Sequence, residues 1–347
     1  MKKIVVLMST YNGSRYLKEQ LDSIFSQDVE DHHVSLKLLV RDDGSKDATL
    51  SILQLYKKKY PFKIEYYSGK NLGVIGSFFD LMKKAEDADY YAFSDQDDVW
   101  DSDKLSSAID IIDQMDTTSK GLKIPFLYAC APELVSEDLE EIHSNIDRTS
   151  PDPEFENALV ENICIGCTEV FNDVLLKLVR ETSPDFTIMH DWWLYLTASC
   201  FGKVFFDDEP HIKYRQHHGN ALGMNSSHIK EFIDRVKRFK QDRNDLSMQA
   251  AAFVKSYTGK DLSSYVKAHE QLIEDDLKYD AEGRPPAFHN MFTHTKRARR
   301  NLNTAEEFVK TRKHLLNRIS FLKDQGIFRQ RSIDDIIFKF ILISGKY

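Results

Sequence analysis

Two periods alternate through the first 110 residues. Short apolar runs at Ile4–Ser9, Leu36–Val40, Ile64–Tyr67 and Tyr90–Phe93 read as buried strands. Between them, core-facing positions recur at helical spacing: Tyr16, Leu17, Gln20, Leu21, Ile24 and Phe25, then Leu50, Leu53, Leu55 and Tyr56, then Phe78–Ala85. Strands alternating with helices of this length predict a parallel sheet with right-handed crossovers, hence an α/β fold. The loops leaving the carboxyl ends of such strands share one edge, where ligands bind. That edge receives Thr10-Tyr11-Asn12, Asp42-Asp43-Gly44-Ser45 and Asp95-Gln96-Asp97-Asp98.

Residues 118–160 break the pattern. Pro125, Pro132, Pro151 and Pro153, with the acidic run Glu137–Glu141, predict loops and an irregular insertion. Regularity returns at Ile163–Phe171, followed by a helix from about Asn172, another around Trp192–Cys200, and two short strands, Lys203–Phe206 and His211–Tyr214. From Ser226 the pattern is helical to the end, with Gly283-Arg284-Pro285-Pro286 separating two helical hairpins.

Composition narrows the class. At 347 residues, 41% hydrophobic and 29% charged, the chain is too apolar for disorder and long enough for one large domain plus an appendage. Its net charge of -8 conceals an asymmetry: residues 226–347 hold 24 Lys+Arg against 16 Asp+Glu, whereas residues 1–225 hold 23 against 39. The acidic front argues against nucleic acid as a partner. The basic rear suits an anionic membrane surface or a solvated helical face.

Four cysteines make no disulfide framework at this length, and Cys164-Ile165-Gly166-Cys167 lacks the second pair a tetrahedral zinc site needs. Its apolar setting predicts buried core thiols. The apolar run after Lys2-Lys3 is too short for a signal peptide, and no stretch of 18 apolar residues spans a membrane. These features predict a cytoplasmic protein.

Three carboxylates in four positions, Asp95, Asp97 and Asp98, repel one another unless hydrogen-bond donors or a divalent cation compensate them. Oxygen donors suit Mg²⁺ or Mn²⁺, which hold phosphates. A solvated acidic loop capping the next helix would carry the same residues. Asp43 either belongs to a strand–turn–helix junction or accepts an N–H from a ring such as a pyrimidine, on which Tyr11 could stack. Asp191, in His190-Asp191-Trp192-Trp193, is either a helix cap or a partly desolvated base whose burial raises its pKa. Tyr214-Arg215-Gln216-His217-His218 offers an imidazole ligand and a cationic group for a diphosphate, or is a polar loop.

In order and spacing over roughly residues 1–225, the series resembles the family 2 inverting glycosyltransferases of GT-A fold. The motifs are Ser9-Thr10-Tyr11-Asn12-Gly13, Gln20-Leu21-Asp22-Ser23-Ile24, Asp42-Asp43-Gly44-Ser45, Asn71-Leu72-Gly73, Phe93–Trp100, Gly166-Cys167-Thr168, His190–Trp193 and Tyr214–His217. They are most similar to the bacterial polysaccharide rhamnosyltransferase branch.

The resemblance implies a GT-A catalytic domain over 1–225, with a nucleotide-binding half at about 1–110 and an acceptor half at about 111–225. A basic, mostly helical region, 226–347, follows. By the same resemblance Thr10, Tyr11 and Asn12 contact the nucleotide, Asp43 accepts from its ring N–H, and Asp95 binds the ribose. Asp97 ligates a Mn²⁺ or Mg²⁺ that bridges the diphosphate, with His217 as a further ligand, although His218 stands beside it. Asp191 is the base, and Trp192, Trp193, Arg215 and His218 face the acceptor or the phosphates.

The implied reaction is metal-dependent transfer of rhamnose from dTDP-rhamnose to a hydroxyl of a growing cell-surface glycan or lipid-linked saccharide. UDP-hexose and UDP-N-acetylhexosamine donors are alternatives. So are a nucleotidyltransferase of this fold, a chemistry opposed by the single basic residue in Thr10–Arg15, and an inactive scaffold in polysaccharide assembly. The basic Lys296–Arg300 and apolar Ile336–Ile343 segments suggest peripheral contact with the inner leaflet; packing on the catalytic core or homodimerisation would use them equally.

Overall fold

The computed structural model describes residues 1–30, 32–118, 124–142, 151–182, 184–217, 244–258, 260 and 298–311. Near the C-terminus it describes 318, 320–322, 326–330, 335, 338–339 and 342–343. One eight-stranded mixed sheet organises them, in the order β3-β2-β1-β4-β7-β6-β8-β5. Its parallel half follows the predicted alternation of strands and helices. Strands β1 (Lys2–Thr10), β2 (Val34–Asp42), β3 (Ile64–Ser68) and β4 (Tyr90–Ser94) run parallel. Helices α1 (Leu17–Phe25), α2 (Thr49–Lys59) and α3 (Gly73–Lys84) connect them.

Pleating explains why these strands read as continuous apolar runs. Ile4, Val6 and Met8 enter one core cluster with Leu17, Leu21 and Ile24 of α1. Val5 and Leu7 point the other way, toward Phe78, Leu81 and Met82 of α3. A sheet covered on both faces needs apolar residues on both.

The second half of the sheet corrects the insertion expected over 118–160. After α4 (Lys104–Thr118), residues Phe126–Val135 form a ten-residue strand, β6. It pairs antiparallel with β7 (Val170–Asn172) and parallel with β8 (Lys203–Arg215). The two strands expected at 203–206 and 211–214 are one, bent where its register against β6 shifts beside Pro132. The two-residue β5 (Val99–Trp100) pairs with the far end of β8.

The short α5 (Phe155–Ala158) and α6 (Asp173–Arg180) flank the sheet, with Asn172 capping α6 by accepting the Leu175 N–H. Helix α7 (His190–Phe201) is apolar all round and almost wholly buried. Part of its cover comes from α8 (Asp245–Tyr257): Trp193 meets Phe253 at 5.5 Å and Phe201 meets Tyr257 at 4.8 Å between ring centres. From α9 (Ala298–Thr311), Asn301 donates to the Ser199 and Cys200 carbonyls at 3.3 and 3.4 Å. The described helices beyond residue 226 thus share one core with α7 and the sheet.

All four cysteines are buried and in no disulfide, as their apolar setting predicts. Among the described residues, no helix is long and apolar enough to cross a membrane. Of the apolar stretch 336–343, Phe338 and Leu342 are fully buried in this core, which removes them from any bilayer contact. His218, Lys296, Arg297 and the 283–286 break lie outside the described residues.

Candidate active site

The parallel strands deliver the predicted loops to one edge, and hydrogen bonds lock them together. Asn12, in the left-handed region at φ 49°, donates its N–H to Ser45 Oγ at 2.9 Å and accepts the Lys46 N–H at 2.8 Å. Asp47 accepts from Ser14 and Thr49, which holds its carboxyl down at about 2. Gln96, silent in the sequence reading, bridges Tyr11 reciprocally: its Oε1 accepts the Tyr11 N–H at 2.9 Å and its Nε2 donates to the Tyr11 carbonyl at 3.1 Å. A Cβ on Gly13 would overlap Gln96 Oε1, so only glycine admits this bridge.

Tyr11 is 47% exposed, leaving a ring face available at the edge. Thr10, expected at the base, is instead buried, its carbonyl accepting the Asp43 N–H at 2.8 Å. Asp43 is also buried. Its oxygens accept from Leu72 N at 2.8 and 3.0 Å, from Gly73 N at 2.9 Å, and from the Arg41 guanidinium. Arg41, a residue the sequence reading passed over, also donates to Asp80 at 3.0 Å and to the Lys70 carbonyl at 3.0 Å. Asp43 thus fastens the 70–73 loop and the start of α3 to β2.

Two of the predicted metal ligands meet. Asp97 Oδ2 lies 2.8 Å from His217 Nε2, both side chains are partly exposed, and the His217 ring packs on Tyr16 at 4.9 Å. A carboxylate oxygen beside an imidazole nitrogen is a donor pair a divalent cation can use. Asp95, Asp98 and Cys167 also bring ligand atoms within 4.8 Å of one another. That set fits Mg²⁺ or Mn²⁺ poorly, because both prefer oxygen donors to a thiol, and burial pushes the Cys167 thiol well up. Burial, with Asp97 and Asp191 beyond it, raises Asp95 to about 7. Asp98 is likewise raised by burial and by its carboxylate neighbours, and its Oδ2 has no hydrogen-bond partner. A cation at Asp97 and His217 would favour the charged forms of both.

Arg215, expected at the phosphates, is 2% exposed and committed to the protein. It donates from Nε to the Asp97 carbonyl at 2.7 Å and from its N–H to Asp98 Oδ1 at 3.1 Å, and it reaches the Glu137 carbonyl and Glu19. It therefore clamps the loop after β4. Trp193, expected at the acceptor, is fully buried in the core. Trp192 is half-buried, its indole N–H donating to the Ala158 carbonyl at 2.6 Å.

Asp191 sits in the first turn of α7, where backbone amides favour a carboxylate. It accepts from Gly166 N at 3.0 Å and from Trp192 N at 2.6 Å. Burial outweighs these bonds and raises it to about 6. Gly166 opens a one-turn 3-10 segment against it, and a Cβ there would crowd Asp191 and His190. His190 stacks on Phe78 at 3.9 Å, and burial holds it neutral, down to about 3. Glu169, also unforeseen, is fully buried and pushed well up by burial and by Asp191.

A GT-A fold with carboxylates along its parallel edge is an arrangement that glycosyltransferases share with nucleotidyltransferases. Residues 5–124 match the model of glycosyl transferase family 2, and the chain is a glycosyltransferase carrying that family's domain. The dTDP-rhamnosyl transferase RfbG of Shigella flexneri is 29% identical over 248 residues, 68% of this chain and 79% of that protein. A glycosyltransferase of Rickettsia typhi, RT0329, is 24% identical over 237 residues, 66% of this chain and 69% of that protein. Among solved structures, GalNAc-T7 with UDP, GalNAc and Mn²⁺ superposes with a TM-score of 0.50 at 12% identity, over 82% of this chain and 58% of that one. This likeness concerns the fold.

Proposed function

We propose that the chain transfers rhamnose from dTDP-rhamnose to a hydroxyl of a growing surface glycan, with inversion at the anomeric carbon. One observation supports the reaction type above others: Asp95 lies near enough to both Asp97 and Asp191 to feel their charges, which suits a metal-side carboxylate and a base serving one donor sugar. The likeness to the Shigella rhamnosyl transferase supports the donor.

In this reading Asp97 and His217 hold Mn²⁺ or Mg²⁺, which when bound neutralises the departing diphosphate as a Lewis acid. Tyr11 offers its exposed ring to the base, and Asp95 takes the ribose hydroxyls. Gly166 N and Trp192 N fix the Asp191 carboxylate, which takes the acceptor hydroxyl proton while the oxygen attacks C1 and the C1–O bond to the diphosphate breaks. A single displacement needs no enzyme nucleophile. Asp43, held by three protein donors, serves the nucleotide by shaping the 70–73 loop.

Hydrolysis of a panel of dTDP- and UDP-sugars, with and without Mn²⁺, tests this. Manganese-dependent release of dTDP from dTDP-rhamnose above all other donors is expected. Preference for a UDP-hexose or UDP-N-acetylhexosamine would move the donor assignment. Consumption of none, with no nucleotide sugar bound, would favour the scaffold.

A further inference from the structure

The C-terminal region reaches the catalytic machinery through a relay of hydrogen bonds. Gln330 grips the peptide groups of Asp152, its Oε1 accepting the N–H at 3.1 Å and its Nε2 donating to the carbonyl at 2.8 Å. Its own N–H donates to Glu161 Oε2 at 2.8 Å, and Arg329 Nη2 donates to the Val160 carbonyl at 2.8 Å. Asn157 Nδ2 donates to the Phe328 carbonyl at 3.3 Å and to Glu161 Oε2 at 2.9 Å. Residues 328–330 therefore hold both ends and the middle of segment 152–161.

That segment in turn holds the helix of the base. The Trp192 indole N–H reaches Ala158, and the Tyr195 hydroxyl donates to Asn157 Oδ1 at 3.0 Å and to the Glu154 carbonyl at 3.2 Å. Asn162, one residue beyond, lies beside Asp191, whose charged form its side chain favours. The 326–330 strap is itself anchored, with Ile327 buried, Arg329 N donating to Asp335 Oδ1 at 3.0 Å, and the Arg329 guanidinium over Phe338 at 5.2 Å.

We propose that segment 326–330, through Gln330 and Arg329, is a positioning element for Asp191. This rests on Asp191 being the base. Few of these contacts are apolar, so they add directional constraint more than hydrophobic stability. Shifts well under an ångström at a base are enough to slow proton transfer.

The test uses the full-length chain, dTDP-rhamnose and Mn²⁺, with water as acceptor and release of dTDP as readout. Gln330→Ala and Arg329→Ala should each lower kcat about tenfold, with dTDP affinity unchanged and cooperative unfolding retained. Arg329→Lys, which keeps a donor for Val160, should recover most of the loss and takes the place of Gln330→Ala should that variant fail to fold. Unchanged kcat in these variants, with Asp191→Asn inactive, overturns the positioning role. An active Asp191→Asn overturns the base assignment itself.

Discussion

Asp97 Oδ2 lies 2.8 Å from His217 Nε2, which ties the loop after β4 to the end of β8 across 120 positions of chain. Neither residue is a convincing cation site alone; together they offer a carboxylate and an imidazole to one ion. His217→Ala should weaken Mn²⁺ binding roughly 10–100-fold, the size of effect seen when metal-site partners are removed. Asp97→Asn should weaken it further, and calorimetric titration of Mn²⁺ with dTDP present measures both. Equal Mn²⁺ affinity in wild type and both variants would place the ion elsewhere.

Asp191 makes opposite predictions for activity and stability. As a base raised to about 6, it should give a kcat that falls tenfold per pH unit well below 6. Its folded pKa lies above the value in the unfolded chain, so the folded state binds the extra proton. The stability it contributes is full below about 4 and is lost as pH rises past 6. Asp191→Asn should be nearly inactive yet about 1–3 kcal/mol more stable at pH 8, with little difference at pH 4. Thermal melts at the two pH values decide it.

The Tyr11–Gln96 bridge depends on the bare backbone of Gly13. Gly13→Ala should displace Gln96, cost about 1–3 kcal/mol and raise the donor KM. Removing the obstacle with Gln96→Ala should return most of the stability without restoring the KM. A double-mutant cycle by chemical denaturation, alongside donor kinetics, separates the two effects.

Arg215 fixes the metal-side loop from inside the protein, with its guanidinium 4.6 Å from the Tyr16 ring centre. Lysine cannot match a planar fork that donates in several directions at once. Arg215→Lys should lose about 2 kcal/mol or more and should weaken Mn²⁺ binding without touching the ion. A melting temperature and Mn²⁺ affinity within error of wild type would show that the clamp is dispensable.

The parallel half was legible because its central strands β1 and β4 are covered on both faces and each helix on one, so burial is written in two clean periods. Strand β6 was not, because Pro125 precedes it and Pro132 lies inside it at a register shift, where a proline is tolerated and misleads. The site's carboxylates were legible as residue types, and Asp97 with His217 as a pair through the resemblance. The inward turn of Thr10, Asp43 and Arg215 was not. Polar side chains near a strand end look alike in sequence whether they face a ligand or a neighbouring loop. Only the partners decide, and Arg41, Leu72, Gly73 and Glu137 carry no signal of that role.

Helix α7, with Asp191 at its start, is covered partly by Phe253, Tyr257 and Asn301, residues made long after it. During synthesis the parallel half of the sheet can assemble while Trp193 and Phe201 still lack that cover. A chain terminated before Phe253 would therefore present that aromatic face to chaperones and proteases.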